Sequence, residues 1–120
     1  MVTNRSTRAM RPACAQKIVD AAHRYPTAPG PQLGSLCYKA RVPAAFIAQI
    51  LGTTEQTVYR WFYHHVEIRD PAHVKFVGKL IKALRYAIAR NLLPVAGDYG
   101  RIEEKLTEAI KALQQEQKAH

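Results

Sequence analysis

Apolar residues recur along this chain at spacings of three and four. Nowhere do they alternate with polar ones over a useful length, so the pattern predicts helices and no strand. Ala15, Ile18, Val19 and Ala22 make a narrow apolar stripe in a helix expected over 12–25, with Lys17, Asp20 and Arg24 pointing elsewhere. Pro26, Pro29, Gly30 and Pro31 are expected to break regular structure and to separate that helix from the next. Leu33, Leu36 and Cys37 mark a second helix over 32–41. Phe46, Ile47, Ile50 and Leu51 mark a third, preceded by Pro43, whose missing N–H suits a first turn. Gly52 ends it, because glycine enters a left-handed conformation without a Cβ penalty. Thr53 or Thr54 then caps a fourth helix, about 55–64, with Val58, Trp61 and Phe62 facing inward.

Asp70-Pro71 is a cap followed by a first-turn proline, and it predicts a helix running to about residue 91, before Leu93-Pro94. Val77, Leu80, Ile81, Leu84 and Ile88 form its apolar face; Lys75, Lys79, Lys82, Tyr86 and Arg90 form the opposite stripe. A glycine-containing joint over 95–100 leads to a last helix over 101–117, striped by Ile102, Leu106, Ala109, Ile110 and Leu113. That stripe is expected to fold back on the apolar face of the 70–91 helix or to pair with its copy in another subunit.

The stretch 44–63 carries the chemistry. Ile47, Ala48, Leu51, Gly52, Val58 and Trp61 stand where a helix-turn-helix wants them, and the stretch resembles the Cro/lambda-repressor class of phage and bacteria. Ala48 is small where two helices cross closely, Gly52 makes the turn, and the other four form the wedge between the helices. Thr53 departs from the pattern, which more often has an aliphatic residue there. Together with the apolar spacing, which gives an all-α protein and a C-terminal helical appendage, the resemblance implies a helix-turn-helix core. It also implies sequence-specific binding of double-stranded DNA in transcriptional regulation, as a homo-oligomer with a dimer favoured.

By helical period, Glu55, Gln56, Tyr59, Arg60 and Tyr63 face outward from the second helix of the motif. In the family, residues at these positions reach base edges. Gln56 suits adenine, Arg60 suits guanine or a phosphate, and Glu55 suits a cytosine amino group or simply a helix N-terminus. Thr54 is expected to bond a phosphate while capping, and Tyr59 either to meet a thymine methyl or a sugar or to be a surface tyrosine over a basic neighbour. Lys39 and Arg41 either complement a helix C-terminus or reach a phosphate. Lys75, Lys79 and Lys82 are either a solvated face, a rail along the phosphates, or a surface for an acidic protein.

Composition sharpens this picture. The chain has 120 residues, a net charge of +9 and a pI near 9.9, which favours a polyanionic partner. Three parts are expected: a basic arm, helix and proline-rich linker over 1–31, the DNA-binding part over 32–92, and a C-terminal helix over 93–120. Arg5 and Arg8 sit in an N-terminal arm that is either a disordered end or a strand-tracking tail. From residue 93 on, Arg101, Lys105, Lys111 and Lys118 are outnumbered by Asp98, Glu103, Glu104, Glu108 and Glu116, so that helix is expected to pack on protein rather than DNA. No apolar run approaches the roughly 20 residues that span a bilayer, and 1–11 lack a signal-peptide pattern; a bacterial or phage-infected host cytoplasm is expected.

Cys14 and Cys37 are isolated, without CxxC spacing, and read as buried small hydrophobes rather than a disulfide. His64, His65 and His73 raise a metal site, but neighbouring histidines diverge on a helix and no carboxylate or cysteine completes a shell, so they are read instead as contacting phosphate or as merely exposed. No metal or other cofactor is expected. No phosphate-cradling glycine loop and no convergent catalytic set appears, so an enzyme is not expected. Two alternatives stay open. One is a small terminase-like phage DNA-packaging subunit, which joins a helix-turn-helix to a helical hairpin. The other is an inhibitor that grips an acidic protein with its basic surface.

Overall fold

The computed structural model describes residues 12–64, 66–96 and 98–118. The expected arm with Arg5 and Arg8, His65, and the side chains of Cys14 and Ala15 lie outside the described residues. Among these residues six helices follow in order: α1 (Pro12–Arg24), α2 (Pro29–Ala40), α3 (Ala44–Leu51), α4 (Glu55–Tyr63), α5 (Pro71–Ala89) and α6 (Tyr99–Lys118). The described residues contain no strand, so the fold is all-α as the apolar spacing requires. No helix among them is long and apolar enough to cross a membrane.

Local signals set most boundaries. Gly52 takes the left-handed conformation after α3, at φ 68° and ψ 33°. Thr54, not Thr53, caps α4: its hydroxyl oxygen accepts the N–H of Thr57 at 3.2 Å. The Asp70 carboxylate accepts the N–H of Ala72 at 2.9 Å, and Pro71 occupies the first turn of α5. That helix ends at Ala89, two residues short of expectation, where Asn91 turns left-handed at φ 60°. α6 starts two residues early, at Tyr99, with the Asp98 carboxylate accepting the Arg101 N–H at 3.3 Å.

The start of α2 corrects the sequence reading. Pro29, Gly30 and Pro31 do not break the chain; they open the helix, and Gly30 and Pro31 are buried in it. Proline is tolerated here because a first turn needs no N–H from it. Gly30 is there for space. A Cβ at this position would collide with the carbonyl oxygen of Trp61 and lie 3.0 Å from its carbonyl carbon. A Cβ at Gly34, one turn on, would lie 2.9 Å from Phe62 Cγ. The two glycines thus let the main chains of α2 and α4 approach closely. The break shrinks to a turn over 25–28, held by the Gln32 amide donating to the Pro26 carbonyl at 2.7 Å. α2 stops at Ala40, with Arg41 left-handed at φ 57° and ψ 41°.

α1 packs against both α2 and α4. Ile18 and Ala21 are buried while Val19 and Ala22 are half-buried, so its inner stripe is turned slightly from the expected one. On α2, Leu33 and Cys37 are buried as expected and Leu36 only half so. Phe46, Ile47, Ala48, Val58, Trp61 and Phe62 join the same core, which continues through Val77, Leu80, Ile81 and Leu84 of α5. α6 folds back on α5 within the chain, burying Ile102, Leu106 and Ala109, with Ile110 and Leu113 half-buried. Tyr99 meets Phe46 edge-on at 5.5 Å between ring centroids, tying the start of α6 to α3. The Arg90–Glu116 ion pair, at 3.9 Å between two exposed side chains, adds little.

Candidate nucleic-acid interface

α4 is short, and its sequence divides it sharply. Val58, Trp61 and Phe62 face the core and are almost wholly buried. Glu55, Gln56 and Arg60 are exposed on the other side. A helix anchored by three large apolar side chains on one face holds the polar residues of the opposite face in fixed relative positions. Thr54 and Thr57 bond each other through their hydroxyls at 2.9 Å, closing the first turn. Glu55 in that turn places a carboxylate beside free N–H groups, where negative charge is favourable.

Tyr59 and Tyr63 depart from the outward orientation expected of them. Both are half-buried and packed against the core. Tyr59 lies edge-on to Phe62 at 6.1 Å, and the Tyr59 and Tyr63 rings are 5.7 Å apart and tilted by 35°. They flank the apolar face of α4 rather than opposing it, so each stays only partly exposed. Glu55, Gln56, Tyr59, Arg60, Tyr63 and His64 together line one shallow concavity along the helix. The structure therefore brings together the five α4 residues expected to face outward and sets His64, considered above as a metal ligand, beside them.

The remaining candidates lie elsewhere. Arg41 is exposed just before α3, and Lys39 is exposed in the last turn of α2. Lys75, Lys79 and Lys82 are exposed on α5, and none pairs with a described carboxylate. They do not line the concavity on α4. α5 is tied to the α3–α4 unit through His73 instead. Its Nε2 lies 3.1 Å from the Leu51 carbonyl oxygen, and its ring stands 5.7 Å from that of Trp61.

A second groove adjoins the first, and sequence reasoning missed it. Lys17, Asp20, Ala21 and Arg24 of α1 line it together with Tyr25, Tyr63 and His64. Lys17 Nζ lies 5.4 Å from the centroid of the Tyr63 ring. No local signal marks these residues, since only the packing of α1 on α4 brings them beside the concavity.

Among the described residues no three His, Cys, Asp or Glu side chains gather closely enough to hold a metal ion. Cys37 is free and fully buried between helices, and burial pushes its thiol far above the ordinary range, which suppresses the reactive thiolate. Compared with known proteins, the chain matches no family model, no curated protein and no solved structure.

Proposed function

We propose that this chain binds double-stranded DNA in a sequence-specific way, with α4 as the helix that enters the major groove. The observation that carries this reading is the two-sided character of α4. Gln56 and Arg60 are exposed one turn apart on a helix whose other face is locked into the core by Val58, Trp61 and Phe62. A major groove admits one such helix, and amide and guanidinium groups at this spacing match adenine and guanine edges. The charge of +9 supplies the sequence-independent attraction. α3, the three-residue turn at 52–54 and α4 follow the helix-turn-helix order of the Cro/lambda-repressor class. The role that fits is transcriptional regulation in a bacterial or phage-infected cytoplasm, with two copies of the chain reading a two-fold site.

Selection from randomised duplexes, followed by competition binding, tests the reading. Arg60→Ala and Gln56→Ala should each weaken the selected site by about 1–3 kcal/mol while leaving random duplex almost unchanged. Variants that retain wild-type preference would remove these two side chains from base readout.

The lysines of α5 are assigned to the phosphates under the same reading. Replacing Lys75, Lys79 and Lys82 together by glutamine should flatten the plot of log affinity against log salt by roughly 0.9 for each lysine that meets a phosphate. Specific and non-specific binding should weaken in parallel, because phosphate contacts carry no base information. Folding stability should hold, since all three side chains are exposed and unpaired among the described residues. Superimposable salt plots would take α5 out of the interface.

A further inference from the structure

α1 and α3 each pack against α4 while making few or no contacts with one another, so α4 runs between them. A duplex lying along the exposed face of α4 would therefore pass beside α1. We infer, resting on the reading of α4 given above, that the groove between α1 and the end of α4 grips a phosphate strand through Lys17 and Arg24, with Asp20 moderating that grip.

The groove is continuous with the concavity on α4, since Tyr63 and His64 line both. Lys17, Asp20, Ala21 and Arg24 recur at spacings of three and four and so share one face of α1. Ala21 is the buried foot of that face, while the three charged residues are exposed. Lys17 is drawn toward α4 by the Tyr63 ring, a cation–π arrangement that leaves the ammonium donors free for a second partner.

Lys17 and Arg24 are separated by about 10 Å along the helix axis at roughly 1.5 Å per residue. One strand of a duplex rises about 3.4 Å along the axis per phosphate, and its phosphates lie further apart still because the strand winds, so the two cations are far enough apart to take separate phosphates of one strand. Asp20 lies between them. Its Oδ1 accepts the Gln16 amide at 2.8 Å, which orients the carboxylate without cancelling its charge. Two cations against one carboxylate suit a polyanion, and long flexible cations with no rigid amide partner suit phosphates rather than base edges.

The test uses the full chain and one duplex carrying its selected site, titrated with salt. Lys17→Gln/Arg24→Gln should lower the salt slope by up to about 1.8, at roughly 0.9 per phosphate, and weaken selected and unrelated duplexes together. Asp20→Asn should tighten both by about fivefold, the Coulomb cost of a unit charge about 4 Å from a phosphate in water. Opposite signs from neighbouring exposed residues are not what a loss of folding produces, and unchanged melting curves would confirm that both variants are intact. Salt plots that overlay wild type, or an Asp20→Asn chain that binds no tighter, would overturn this groove assignment. If Arg60→Ala still relaxed base preference in that case, the α4 reading would stand without it. A wild-type chain that binds no duplex at any salt concentration would defeat both.

Discussion

Trp61→Ala is expected to cost about 3–5 kcal/mol of folding stability, the range for removing a large aromatic side chain from a core. Trp61 is only 4% exposed. Its main-chain carbonyl faces Gly30, and its ring meets His73 at the start of α5. Truncation leaves a void at the place where α2, α4 and α5 converge. It also removes one of the three side chains that hold the exposed face of α4 in register. Against a total stability of about 5–15 kcal/mol for an ordinary domain, this is a large fraction. Chemical denaturation followed by circular dichroism measures it. An unchanged midpoint would show that Trp61 is not part of the core at all, and would undo the orientation of α4.

The second large effect comes from adding a single methyl group. Gly30→Ala should destabilise the chain by about 1–3 kcal/mol through overpacking, although alanine is the better helix former. The new Cβ meets the carbonyl of Trp61, which is backbone and cannot rotate away, so α2 and α4 must move apart. Gly34→Ala should destabilise less, because the Phe62 side chain it meets has some freedom to give. Gly78→Ala is the matched control. Nothing lies within 4 Å of a Cβ built there, on the exposed side of α5, and the substitution should stabilise by about 0.5–1 kcal/mol. The expected order of midpoints is Gly30→Ala lowest, then Gly34→Ala, wild type and Gly78→Ala. A Gly30→Ala chain as stable as wild type would contradict the close approach of the two helices.

These residues also show what a sequence does and does not announce. Gly52, Thr54 and Asp70-Pro71 act within a few residues of themselves, through a left-handed turn or a cap. Their effects are therefore legible from neighbours alone, and α3, α4 and the start of α5 result. Pro29-Gly30-Pro31 carries the same residue types but answers to a partner far along the chain, at Trp61. Locally it reads as a break; in the fold it is the place where α2 must be thin enough to meet α4. Tyr59 and Tyr63 mislead for a related reason. Helical period puts them away from Val58 and Trp61, but α4 is embraced from more than one direction, and its flanks are covered as well as its inner face. The groove formed with α1 lies wholly beyond local reading, because Lys17 and Arg24 resemble any solvated residues until α1 is laid against α4.

The chain's single tryptophan sits where α2, α4 and the start of α5 meet. Its fluorescence therefore reports on one place in the core, while far-ultraviolet circular dichroism averages over all the helices, α6 included. Unfolding monitored by the two signals would reveal whether α6 melts with the rest. Coincident transitions would mean that the tryptophan site and α6 form one cooperative unit, and separated ones would mean that α6 peels away while Trp61 stays shielded from solvent.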